Sequence, residues 1–127
     1  MKKKIMIIDD EENFLEITKM NLEKTGNYEV ATYANAKDII SHIHSFKPNV
    51  ILLDLLMPGI GGVEVCQMLN DDAFASNIPI IVVSALDKDT DKLKAYKAGV
   101  VDYITKPTGV KELVNKIETA IRHKEGG

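Results

Sequence analysis

Asp9-Asp10, Asp54, Ser84 and Lys106 are the residues whose types and positions allow joint chemistry. An apolar run stands directly before three of these positions: Ile5–Ile8 before the acidic pair, Val50–Leu53 before Asp54, and Ile80–Val83 before Ser84. Taken singly, each residue has a plain role. Acidic residues fill the first turns of helices and favour the helix dipole, and an Asp behind a strand starts a turn. A Ser caps a helix, although Asp87 is the better cap for the helix that follows Ser84, and a Lys is solvated. Taken together they say more. Clustered carboxylates repel one another and stay ionised only beside a cation, and hard oxygen donors suit Mg²⁺, which keeps several waters. A carboxylate beside a divalent ion is a nucleophile toward phosphorus, as in aspartyl-phosphate chemistry, with the ion neutralising charge on the transferring group. On that reading the Ser84 hydroxyl donates to a phosphoryl oxygen. The Lys106 ammonium pairs with Asp54 at rest and with the phosphoryl group after transfer. Pro107 restricts the Lys106 backbone and so helps hold its side chain over the site.

For these residues to meet, they must sit at the carboxyl ends of neighbouring strands. Lys4–Ile8, Glu29–Tyr33, Asn49–Leu53, Ile78–Val83 and Val101–Ile104 read as strands, rich in Ile and Val and bounded by polar or turn residues. The first, third and fourth are apolar almost throughout, as strands covered on both faces must be. Helices are predicted at Glu12–Lys24, Ala36–Ser45, Gly62–Asn70, Asp87–Lys97 and Gly109–His123. Gly26 and Gly99 stand where left-handed C-terminal caps belong. The last helix carries Val110, Leu113, Val114, Ile117 and Ile121 on one stripe. Five strand-then-helix units predict an α/β fold, a parallel sheet with helices on both faces. In a doubly wound sheet, function gathers at the carboxyl ends of the strands, near the switch point.

The chain has 127 residues, enough for one domain. Its hydrophobic content of 45% and charged content of 28% exclude a disordered chain. A net charge of −3 offers no basic field for direct nucleic-acid binding. No apolar run approaches the ~20 residues of a membrane span. Lys2-Lys3-Lys4 resembles the start of an export signal, but Asp9-Asp10 interrupts the apolar stretch, so export is not expected. A single cysteine, Cys66, forbids an internal disulfide and suits a reducing cytoplasm; it reads as a helix residue packed inward. His42 and His44 are two apart on a helix and face different directions, which argues against a shared metal. Met57-Pro58-Gly59 and Gly61-Gly62 read as a loop beside Asp54 that admits a phosphoryl donor.

The set Asp9/Asp10, Asp54, Ser84 and Lys106-Pro107 resembles the receiver domain of two-component response regulators, the CheY-like family. The stretches Val50–Gly59 and Gly99–Pro107 carry the likeness, which covers essentially the whole chain. The resemblance implies a flavodoxin-like (βα)5 fold with strand order 2-1-3-4-5, residues 1–123 forming the receiver. Residues 124–127 would be a tail or the start of a linker. It further implies that Asp54 accepts a phosphoryl group from a phosphohistidine on a sensor kinase or a histidine phosphotransfer protein. Asp10, Asp54 and the Leu56 backbone carbonyl would ligate Mg²⁺ directly, with Asp9 acting through water. Ser84 and Lys106 would hold phosphoryl oxygens, Tyr103 would follow the movement of Ser84, and the Lys106–Pro107 bond would be cis. The responding face would be Asp87–Lys97, Val101–Ile104 and Gly109–His123, the last two helices offering a homodimer surface. Such a chain is either a stand-alone receiver that meets an effector protein or the first part of a regulator with a further output domain. In this family the positions of Leu56 and Leu86 influence hydrolysis of the phosphoryl group, and two leucines imply a long-lived one.

Two rival readings use the same residues. A haloacid-dehalogenase-like phosphotransferase also has a strand-terminal Asp, but it needs a second carboxylate two residues on, where this chain has Leu56. A receiver-fold interaction module that is never phosphorylated is the other. A flavin binder is excluded because Asp9-Asp10-Glu11-Glu12 would repel its phosphate.

Overall fold

The computed structural model describes residues 1–126; Gly127, the last residue of the expected tail, lies outside them. Five strands, β1 (Lys3–Ile8), β2 (Tyr28–Tyr33), β3 (Val50–Leu53), β4 (Ile80–Ser84) and β5 (Asp102–Thr105), pair in parallel in the order 2-1-3-4-5. The helices are α1 (Glu12–Lys24), α2 (Ile39–Phe46), α3 (Gly62–Asn70), α4 (Asp89–Lys97) and α5 (Val110–Gly126). A short 3-10 turn at Ala75–Asn77 precedes β4.

Alternation along the strands feeds two cores, one on each face of the sheet. Met6, Ile8, Ile51, Leu53, Ile80 and Val82 face one way and meet Ile39 and Ile43 of α2 and Val65, Cys66 and Leu69 of α3. Ile5, Ile7, Val50, Leu52, Ile81 and Val83 face the other way and meet Leu15 and Leu22 of α1 and Leu113, Ile117 and Ile121 of α5. Each such side chain contributes about 1.5–3 kcal/mol on burial, so the strand ends are held by a dense scaffold. Burial pushes the Cys66 thiol up to about 11 and keeps it neutral.

Some helix bounds differ from the sequence reading, and at α2 a local polar turn explains the difference. α2 starts at Ile39, not Ala36, because the Asn35 Oδ1 accepts the Lys37 N–H and Asp38 adopts a left-handed φ of 56°. α4 starts at Asp89 with Lys88 at its N-cap, so Asp87 does not cap it. α5 continues to Gly126, past His123. Gly26 and Gly99 do take left-handed φ values, 83° and 101°.

Candidate functional site

The ladder that orders the sheet also delivers the site. Ile8 is level with Leu53, Leu53 with Val82, and Ser84 with Thr105, so the four strands end at one rim. Backbone bonds carry the register one residue further. The Asp9 N–H donates to the Tyr33 carbonyl, the Asp54 N–H to the Ile8 carbonyl, and the Lys106 N–H to the Ser84 carbonyl, at 3.0, 3.0 and 2.8 Å. β1 lies between β2 and β3, so the chain reverses direction across the sheet beside the carboxylates.

Asp9, Asp54 and Ser84 are buried, while Asp10, the next residue, is exposed. Asp9, Glu11 and Asp54 bring carboxylate oxygens within 4.8 Å of one another. All are hard oxygen donors, a set that fits a divalent cation such as Mg²⁺. Lys106 reaches into this group, its Nζ lying 2.7 Å from the Asp9 Oδ2, 2.5 Å from the Glu11 Oε1 and 3.5 Å from the Asp54 Oδ2. The Lys106–Pro107 bond is cis. The remaining oxygens of both aspartates accept backbone N–H groups, Asp9 Oδ1 from Glu11 at 2.9 Å and Asp54 Oδ1 from Leu56 at 3.1 Å.

The electrostatics follow from burial against pairing. Desolvation raises the Asp9 carboxyl above its ordinary value; bonds from Lys106 and the Glu11 N–H oppose this, and the Asp54 charge adds to it. Burial works to lower the Lys106 ammonium, but the bonds to Asp9 and Glu11 and the charges of Asp54 and Asp9 prevail, so it stands above its ordinary value. The ammonium is therefore firmly charged, and Asp9, more deeply buried and facing a second carboxylate, carries the cost.

The Ser84 Oγ accepts the Leu86 N–H at 3.3 Å, and the Tyr103 hydroxyl donates to the Leu86 carbonyl at 2.5 Å. Burial and the charge of Asp91 raise the Tyr103 phenol above its ordinary value. Leu56 is half exposed at the mouth of the site. The structure thus brings Asp9, Asp54, Ser84 and Lys106 together and links Tyr103 to them through Leu86. Two residues without a sequence assignment join them: Glu11, and Phe14, whose ring centroid lies 4.3 Å from the Lys106 Nζ. Their only signal was position, directly after the acidic pair and three residues later.

A family model for the response regulator receiver domain matches residues 5–118. The chain belongs to this family. Receiver domains are signalling modules, and the acidic group at Asp9, Glu11 and Asp54 is compatible with their phosphorylation site. The chain is 33% identical over 125 residues to the alkaline phosphatase synthesis transcriptional regulatory protein PhoP of Bacillus subtilis. That match covers 98% of this chain and 51% of PhoP, so the chain spans about half the length of that curated relative. A CheY-like receiver domain protein from Methanospirillum hungatei superposes with a TM-score of 0.89 at 28% identity, covering 99% of this chain and 98% of its own. The receiver domain of DrrB, a Thermotoga maritima protein, described as BeF3 activated, gives 0.83 at 27% identity, with 96% and 99% covered. Among the described residues, no helix is long and apolar enough to cross a membrane.

Proposed function

We propose that Asp54 accepts a phosphoryl group from a phosphohistidine and that the receiver thereby switches the surface formed by α4, β5 and α5. The observation that carries this is the placement of Asp54, buried at the end of β3, within reach of both a carboxylate group and a charged ammonium. One carboxylate oxygen of Asp54 attacks phosphorus, the bond from phosphorus to the imidazole nitrogen breaks, and the imidazole leaves with its electron pair. The product is an acyl phosphate. The Lys106 ammonium turns to the phosphoryl oxygens, and the Ser84 hydroxyl, otherwise an acceptor for Leu86, donates to one of them. Asp10, Asp54 and the Leu56 carbonyl are the proposed direct ligands of Mg²⁺, with Asp9 through water. When bound, the ion supplies charge neutralisation at the transferring group.

Phosphorylation adds about −1.5 to −2 charges and three strong acceptors. Satisfying them moves Ser84 and Lys106, hence Leu86 and Tyr103, and favours one conformer of the responding face. Leu93, Tyr96 and Val101 are exposed there, apolar groups for an effector, a further output domain or a second copy of the chain to cover. The chemistry is confined to the protein's own phosphorylation and dephosphorylation, in the cytoplasm, with a sensor histidine kinase or a phosphotransfer protein as donor.

Intact mass after incubation with acetyl phosphate, with and without Mg²⁺, tests the reading. One phosphoryl adduct that requires both Mg²⁺ and Asp54, absent in Asp54→Asn, is expected. No adduct on the wild type, with Mg²⁺ bound and hydrolysis too slow to hide it, would leave a receiver fold used as a binding module.

A further inference from the structure

Two side chains that are neither proposed Mg²⁺ ligands nor proposed phosphoryl contacts hold Lys106. Glu11 is the N-cap residue of α1 and Phe14 lies three positions on, so one turn sets both against the same ammonium. The Glu11 Oε1 is 2.5 Å from Nζ, and the Phe14 ring centroid is 4.3 Å away. The Asp54 Oδ2, at 3.5 Å, is the most distant of the three carboxylate partners.

Building on the reading of Asp54 as phosphoacceptor, we propose that Glu11 and Phe14 are positioning residues that park the Lys106 ammonium beside α1. In this role Glu11 competes for the ammonium with any anionic group on Asp54. An ammonium has three donors. Asp9 and Glu11 take two at short range, leaving Asp54 the weakest share. The two short contacts are not equivalent. Asp9 is buried and fixed by the Glu11 N–H, whereas the Glu11 side chain is 62% exposed and can turn into water at small cost. Glu11 is therefore the contact that gives way when an anion arrives. The Phe14 face attracts the ammonium in either state and limits how far it swings, because the Lys106 side chain, only 11% exposed, has little water to turn to.

The test is a titration with beryllofluoride, an anion that adds to a carboxylate as a phosphoryl stand-in, at saturating Mg²⁺. Glu11→Gln removes the competing charge, and Glu11→Asp keeps the charge on an arm one methylene shorter. Both are expected to tighten beryllofluoride binding by about two- to five-fold, the size of one exposed ion-pair contact. Unchanged or weaker binding in Glu11→Gln overturns the competition. So does Glu11→Asp behaving as wild type, which would assign the effect to charge at a distance. The Lys106 Hε resonances of the resting protein, read by NMR, should lie upfield of those of other lysines and return toward them in Phe14→Leu. Lys106 resonances that coincide with the other lysines in the wild type overturn the parking. If wild type takes up no beryllofluoride, the phosphoacceptor reading and the competition both fall, while the Lys106 resonances still decide the parking on their own.

Discussion

The Tyr103 hydroxyl is bonded to the Leu86 carbonyl, and the Leu86 N–H is bonded to the Ser84 Oγ. One residue of the loop after β4 thus touches both the hydroxyl at the rim and the aromatic of β5. Any displacement of Ser84 toward a group on Asp54 pulls the Leu86 N–H and disturbs the carbonyl that anchors the phenol. This gives Tyr103 a physical route to report on Ser84, a short coupled element with contacts at each step.

Tyr103→Phe removes the phenol bond and keeps the ring. A hydrogen bond of this kind contributes about 0.5–1.5 kcal/mol, so local opening of the loop should become easier by about two- to twelve-fold. Native-state amide exchange over residues 84–88 measures it, with faster exchange there and none elsewhere as the expected result. Unchanged exchange in that loop would show that Leu86 is held by its packing and not by Tyr103.

Asp9 sets a pH dependence in the metal-free protein. Its carboxyl stands above the ordinary 3.8 when folded, chiefly through desolvation. An acid shifted upward is uncharged in both states below pH 3.8. From there to the folded pKa the unfolded chain has released its proton and the folded chain has not, so stability falls as pH rises and then stays lower. Asp9→Asn, which can still accept the Glu11 N–H, removes this loss. Urea unfolding without metal should find the variant more stable near neutral pH, with the gap closing below about pH 4. Added Mg²⁺ should favour the wild type over the variant. A gap that is equal at acid and neutral pH would mean that Asp9 is not the titrating group.

The legibility of this chain follows from which residues act alone. β1, β3 and β4 are readable because unbroken apolar runs of this length, rich in Ile, Val and Leu, suit strands buried on both faces. Asp9, Asp54 and Ser84 are readable because each ends or directly follows such a run. What escaped depends on side chains that turn back on the backbone. The start of α2 is set by the Asn35 turn. The Ala75–Asn77 turn is held by the Asp72 carboxylate, which accepts the Phe74 and Ala75 N–H groups at 3.1 and 2.8 Å. Glu11 and Phe14 escaped because they belong to the start of a helix and reach across to the loop after β5. No periodicity along the chain encodes that contact.

Gly62 offers a test of how tightly the loop after Asp54 is held. A Cβ there would lie 2.6 Å from the Leu55 Cα and 2.9 Å from the Asp54 carbonyl oxygen, so the start of α3 or the loop must shift. Gly62→Ala is expected to cost about 1–3 kcal/mol in urea unfolding and to move the amide signals of Asp54 and Leu55. Gly59, with φ +86° and open space around its Cβ position, is the control. Its Ala variant pays only the left-handed backbone penalty, about 1–2 kcal/mol, and should leave Asp54 in place. A Gly59→Ala variant that perturbs Asp54 more than Gly62→Ala would mean that loop conformation, not close packing on α3, fixes the acceptor.

The lifetime of a phosphoryl group on Asp54 depends on whether a water can be oriented beside it. Leu56 stands half exposed at the mouth, and Leu86 lies half buried by Ser84. Neither side chain has a donor or acceptor to aim a water at phosphorus, so a long-lived adduct is expected. Leu56→Asn supplies both kinds of group. It should shorten the adduct by about ten-fold, the effect of ~1.4 kcal/mol from one orienting hydrogen bond, read as decay of the phosphorylated mass after the donor is removed. The Leu56 N–H bond to Asp54 belongs to the backbone and survives the substitution, so a change in decay belongs to the side chain. A wild-type half-life of seconds, unchanged by Leu56→Asn, would contradict this and point to an attacking water held by other groups at the rim.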